Sequence, residues 1–163
     1  MFTIKLSRDE EVQAAKAGFL RETYYETNPN FHDQSLKGNL HEAIMRHSEA
    51  AGSELAAAKY FQIPHFKLTI NTFKTIADVG SQIEVKHTTW KDGHLIIRER
   101  DRAEDIAVLV TGKSPVYYVV GWIPVAIAKT DRFKHKDGSW WVSQINLRPM
   151  ENLRRSNYGD AQI

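Results

Sequence analysis

The sequence predicts one α/β domain of the α+β kind: N-terminal helices packed on a mixed, largely antiparallel sheet. Three observations carry this reading. Ser7 with Glu10 forms a capping box at the head of a helical period. After Pro64 the period changes from helical to strand-like. Turn signals, Lys91-Asp92-Gly93 and Lys136-Asp137-Gly138, then punctuate short β-rich runs. The 163 residues suit a single domain that buries a core without staples.

The elements follow in order. A helix is expected from Arg8 to Tyr25, with Val12, Ala15, Phe19 and Leu20 on its inner stripe and Asn28-Pro29-Asn30 ending it. Residues 31–39 are polar and loop-like, and residues 1–39 form an N-terminal helical extension. A second helical stretch covers Leu40 to Phe61. On it Ala50, Ala51, Glu54, Ala57, Ala58 and Phe61 share one face, and Gly52 is a point at which the helix can split. Phe66 to Ile70 and Phe73 to Val79 read as extended segments. Ile83 to Thr88 alternates cleanly, and Lys91-Asp92-Gly93 leads into a strand at Leu95 to Arg98 as a hairpin. Ile106 to Val110 and Tyr117 to Ile123 are apolar strands, Val125 to Thr130 a short helix, and Trp140 to Val142 a last strand. The core spans 40–150, and 151–163 is a polar tail.

Composition narrows the function classes. There is no cysteine, so disulfides and thiolate metal sites are excluded. No run approaches the roughly 18 apolar residues of a membrane span, and the N-terminus does not read as a signal peptide, so a cytoplasmic protein without membrane contact is expected. The net charge of +2 is too small to argue for nucleic acid by itself. The cluster of Lys129, Arg132, Lys134, His135 and Lys136 reads first as a solvated face.

The chemically informative stretch is Ala77-Asp78-Val79-Gly80-Ser81-Gln82-Ile83-Glu84-Val85-Lys86. Alternation sends Glu84 and Lys86 to one face of a strand and Ile83, Val85 and His87 to the other. A three-residue turn centred on Ser81 pairs Asp78 with Glu84, with Cβ atoms about 4.5–5.5 Å apart. A two-residue Gly80-Ser81 turn pairs Asp78 with Ile83 instead and sends it to the opposite face. Facing carboxylates are tolerable around a divalent cation, Mg²⁺ or Mn²⁺. A metal-bound water can attack phosphorus, and a lysine beside it can stabilise the charge that develops. The carbonyl of Val85 is a further possible ligand. Glu54, a carboxylate on a core-facing stripe, needs a partner and could complete the set.

On these residues the chain resembles the PD-(D/E)XK nuclease superfamily. The resemblance is carried by Gly52-Ser53-Glu54-Leu55-Ala56, Ala77-Asp78-Val79-Gly80 and Ile83-Glu84-Val85-Lys86-His87-Thr88. Asp78-Val79-Gly80, Leu95-Ile96-Ile97-Arg98, Val108-Leu109-Val110-Thr111-Gly112, Val120-Gly121-Trp122-Ile123 and Leu147-Arg148-Pro149-Met150 are similar to a group of small phage proteins. Ala77 stands where the motif's name has proline, and the gap between Asp78 and Glu84 is short. The resemblance implies a restriction-endonuclease-like core and Mg²⁺-dependent hydrolysis of DNA. It makes Asp78 and Glu84 metal ligands, Lys86 the catalytic lysine and Glu54 an accessory ligand. If the chain is phage-encoded, the compartment is the host cytoplasm.

Other candidates are thinner. The histidines lack zinc spacing. Gly112-Lys113-Ser114 lacks the earlier glycine of a phosphate loop, with Ala107 in that place, and no nucleotide or organic cofactor is expected. Neighbouring strand residues face opposite sides, so one of Trp140 and Trp141 is expected to be exposed. Trp140, with Arg132, Lys134 and Lys136, is the set chosen for nucleic-acid contact. The alternative to a nuclease is a catalytically degenerate accessory protein of the same fold that binds nucleic acid or a protein. A third reading is an assembly protein that uses its aromatics in a homo-oligomer.

Overall fold

The computed structural model describes residues 1–27, 38–70 and 76–156. The chain is a mixed α+β structure with a mixed four-stranded sheet. The elements are β1 (Phe2–Lys5), α1 (Arg8–Thr27), α2 (Leu40–Tyr60), β2 (Ile83–Thr88), β3 (Leu95–Ile97), β4 (Ile106–Lys113), β5 (Val116–Pro124), α3 (Val125–Ala128) and β6 (Trp140–Val142), with short 3₁₀ turns after α3. The main sheet runs β1-β5-β4-β2, and β3 with β6 forms a separate ribbon.

The capping box forms as written. The Ser7 N–H donates to Glu10 Oε2 at 2.6 Å, and the Glu10 N–H to Ser7 Oγ at 3.3 Å. The inner face of α1, however, is not the expected one. Ala14, Ala17, Gly18, Arg21 and Glu22 are buried, while Val12, Phe19 and Leu20 are about half exposed and Ala15 is exposed. The reason is close approach. A Cβ on Gly18 would collide with the backbone of Ser48 on α2, so α1 presents its small side chains there. The two charged residues on that face find partners on α2. Asn28-Pro29-Asn30 and most of the loop to Asn39 lie outside the described residues.

Asn39 caps α2, its side chain accepting from the Glu42 N–H at 3.1 Å. The helix continues through Gly52 without a break. There the Tyr117 ring rests against the backbone, where a Cβ would clash with it, and packing offsets the roughly 1 kcal/mol propensity cost of glycine. Residues Ala51 to Ala58 are all buried, because α2 lies between α1 and the sheet.

Three further expectations change. Phe66 to Ile70 joins no strand ladder, and the Thr69 carbonyl is taken by Arg21 instead. Of Phe73 to Val79, residues 73–75 lie outside the described residues, and Val79 makes only an isolated bridge, to Ile83. β2 and β3 do not form a hairpin: β2 pairs parallel with β4, while β3 crosses to pair with β6. The sheet is therefore mixed, β1–β5 and β4–β5 being antiparallel. β1 was not anticipated; four alternating residues give a weak signal. The tail is not wholly polar either, since Leu153 is buried in the main core.

One core lies between the helices and the sheet and includes Ile83, Val85, Val108, Val119 and Trp122. A second lies on the opposite face, beneath β3, β6 and α3, and includes Leu95, Leu109, Ile123 and Val142. β2 is an edge strand, opposite β1, with Ile83 and Val85 turned to the helices and Glu84 and Lys86 turned the other way. Among the described residues no helix is long and apolar enough to cross a membrane.

Candidate functional site

The turn before β2 is the three-residue form. Val79 and Ile83 exchange both backbone hydrogen bonds, at 3.0 and 3.1 Å, with Gly80 at φ 59° between them. This centres the turn on Ser81 and sets Asp78 opposite Glu84. Ile83 directs its N–H and carbonyl to the free edge of β2, and so does Val85, two residues on. Asp78 reaches that edge: its Oδ2 accepts from the Val85 N–H at 2.8 Å. The Val85 carbonyl opens to the same side.

On the outward face of β2, Lys86 Nζ lies 2.8 Å from Glu84 Oε1 and 2.8 Å from Asp101 Oδ2. Asp101 is buried and was not among the residues expected from the sequence. It stands in the turn after β3, where it also accepts from the Arg98 N–H at 2.8 Å. On the helix side, Arg21 grips Glu54 with two parallel hydrogen bonds of 2.8 Å. Arg21 also donates to the Thr69 carbonyl at 2.9 and 2.7 Å. Both side chains are nine-tenths or more buried.

Electrostatics joins these parts into one cluster. Burial holds the Asp78 carboxyl well above the ordinary carboxylate range; the charges of Glu54 and Glu84 push it further, against the Val85 N–H and Lys86. Burial also raises Glu54, Arg21 opposing without cancelling it and Glu84 adding to the rise. For Lys86 burial favours the neutral amine, but Glu84 and Asp101 outweigh it and hold the pKa above the usual lysine value. Lys86 is therefore an ammonium donor and not a base. Four carboxylates (Glu54, Asp78, Glu84 and Asp101) face two cations, Arg21 and Lys86, and the neighbouring Arg102–Asp105 pair, at 2.7 Å, is neutral as a unit.

Glu54, Asp78, Glu84 and Lys86 thus belong to one neighbourhood, but not as a ring of three ligands. Both oxygens of Glu54 are engaged by Arg21. Among the described residues no group of three or more His, Asp or Glu side chains is gathered as a metal centre. What suits a dication here is a surplus of two negative charges once all four carboxyls are ionised, with Asp78 and Glu84 on facing positions of the turn and oxygen the donor throughout.

The expected nucleic-acid set is rearranged. Trp140 is buried, with Lys134 Nζ 3.8 Å and Lys129 Nζ 5.5 Å from its ring. Trp141 is the exposed neighbour, because β6 turns Trp140 and Val142 to the second core. Arg132 is tied to Asn146 Oδ1 at 2.7 Å, and Lys136 is exposed.

Two residues of the neighbourhood escaped sequence reading. A buried carboxylate on α2 requires a cation, and Arg21 is legible as that cation only once α1 is turned to its small-residue face. Asp101 carried no signal in its polar surroundings. Comparison with protein-family models, curated proteins and solved structures finds no match to this chain.

Proposed function

We propose that the chain is a divalent-metal-dependent nuclease acting on DNA in the cytoplasm, built on a restriction-endonuclease-like core. The observation that carries the reading is the surplus of negative charge around Asp78, beside an ammonium held at Lys86. Supporting it is the order of parts: a Glu-bearing helix, then Asp78, then Glu84-Val85-Lys86 on an edge strand. In this reading Asp78, Glu84 and the Val85 carbonyl hold Mg²⁺ or Mn²⁺. Glu54 contributes its charge while Arg21 fixes it. The bound metal supplies a polarised water and offsets phosphate charge.

The chain's own residues do the rest. The Val85 N–H orients the Asp78 carboxylate. Asp101 and Glu84 fix the Lys86 ammonium, which is placed to stabilise charge on a phosphate oxygen. The test is cleavage of linear, circular and branched DNA with Mg²⁺ or Mn²⁺ by wild type, Lys86→Ala and Asp78→Asn. Metal-dependent cutting that falls about 10²–10³-fold or more in both variants is expected, the scale of losing a transition-state donor. The Arg21 grip on Glu54 favours a second reading, a binding protein with a degenerate site; retention of DNA in a gel shift without cutting is its signature.

A further inference from the structure

A groove of about 670 Å³ opens beside Lys86. Its walls include Lys86, Trp90, Lys91, His94 and Trp141. Trp90 is 78% exposed, the most exposed tryptophan of the chain. Nothing about the core requires an indole there. Trp141 also lines the groove and is held in place: His135 stacks on it with ring centroids 4.3 Å apart, and its Nε1–H donates to Ser139 Oγ at 2.8 Å.

The loop that carries Trp90 is braced as well. Gln144 Nε2 donates to the carbonyls of Lys91 and Gly93 at 2.7 and 3.1 Å. The Gly93 N–H donates to the Trp90 carbonyl at 3.1 Å, and the Trp90 N–H to Thr88 Oγ1 at 3.3 Å. The Trp141 ring is thus fixed on a concave wall, and the backbone that carries the Trp90 indole is fixed beside it. Pre-positioned surfaces lower the ordering cost of binding a planar ligand. The groove is lined by two lysines, Lys86 and Lys91, against one carboxylate, Asp92, and Lys91 with the Lys86 ammonium offers charge to a phosphodiester backbone.

We propose that this groove receives single-stranded nucleic acid, with unstacked bases resting on Trp90 and Trp141, and delivers the adjoining phosphate to Lys86. The proposal deepens the nuclease reading by naming its substrate class. Paired bases stay stacked within a duplex and cannot offer their faces to the tryptophans, so single strands, frayed ends and flaps are preferred over intact duplex. The volume lies within the range of small-ligand sites and suits one or two bases at a time.

The experiment is anisotropy of labelled (dT)12 and of a 12-base-pair blunt duplex in EDTA, so that no strand is cut. Wild type is compared with Trp90→Ala, Trp141→Ala and Trp90→Phe, each checked for an unchanged thermal midpoint. Base stacking predicts a loss of (dT)12 affinity of roughly 5- to 140-fold for each alanine variant, with Trp90→Phe retaining most of it. It also predicts weaker binding of the duplex than of (dT)12 by wild type. Unchanged affinity in both alanine variants, duplex bound as tightly as (dT)12, or no binding of either probe overturns the proposal. The two readings fail separately. Trp90-dependent binding by a protein that cuts nothing with Mg²⁺ leaves the groove assignment standing and removes the nuclease. Metal-dependent cutting that is indifferent to Trp90 and Trp141 does the reverse.

Discussion

Replacing Arg21 with leucine removes one partner of a buried ion pair and leaves the other in place. Glu54 then sits under α1 with neither of its two 2.8 Å hydrogen bonds, and the Thr69 carbonyl loses both of its donors. Breaking a buried pair in this way costs about 3–5 kcal/mol, since an uncompensated charge remains. For a chain of this length that is a fall in thermal midpoint of roughly 6–20 °C. Replacing both residues, Arg21→Leu with Glu54→Leu, removes the orphaned charge. The Thr69 carbonyl is still left wanting, at about 1–3 kcal/mol, but no buried charge is orphaned, so the double variant is more stable than the single. The pH dependence has a definite sign. Burial already raises Glu54 above its ordinary 4.5, and loss of Arg21 removes the main opposing influence. The folded state of the variant therefore binds the Glu54 proton more tightly than the unfolded chain does. The penalty is complete above the folded pKa and shrinks as pH falls through it. Urea unfolding followed by far-ultraviolet circular dichroism at pH 5 and pH 8 reads all of this. A single variant within 1 kcal/mol of wild type, or a double variant no better than the single, refutes the reasoning.

Two other substitutions test the site and its support. Asp78→Asn keeps an oxygen for the Val85 N–H and removes a carboxyl whose pKa burial, Glu54 and Glu84 raise well above 3.8. Stability from such a group is present at low pH and lost as pH rises through the folded pKa. The variant is therefore expected to gain about 0.5–2 kcal/mol at pH 8 in EDTA, and less at pH 5. Urea midpoints showing an equal loss at both pH values would falsify this. Gly52→Ala sets two effects in opposition: helix propensity favours alanine by about 1 kcal/mol, whereas a methyl pressed into the Tyr117 ring costs about 1–3 kcal/mol. Net destabilisation by thermal melting is expected, and a rise in the midpoint contradicts the packing account.

Local order was legible, and the partners of each element were not. The alternation of Ile83 to Thr88 specified which side chains of β2 meet the helices, because one face of the strand is apolar and the other is not. The capping box and the helix from Leu40 to Phe61 were legible from local pattern in the same way. The face of α1 was not. Apolar size pointed to Val12, Phe19 and Leu20, but close helix packing rewards small surfaces, and Gly18 against Ser48 decided it. Turn signals at Lys91-Asp92-Gly93 marked a reversal correctly without saying which strand receives the chain, so the parallel β2–β4 pairing was missed. At the candidate site Glu54 announced that it needed a partner without naming Arg21. Asp101 is placed by the fold rather than by proximity in sequence to Lys86. The tryptophan pair shows the same limit: alternation guarantees that one of Trp140 and Trp141 faces out, and only the second core determines which.

The position of β2 at the border of its sheet has a consequence for solubility. A border strand offers unpaired N–H and carbonyl groups to any extended peptide that drifts past, and proteins need some means of discouraging that addition. Here the guard is the segment that carries Asp78. Val79 occupies the backbone of Ile83, and the Asp78 carboxylate occupies the N–H of Val85. An incoming strand would have to displace a charged side chain and then lie against it. The residue that makes this border chemically interesting is thus also what keeps it from becoming a seam between molecules.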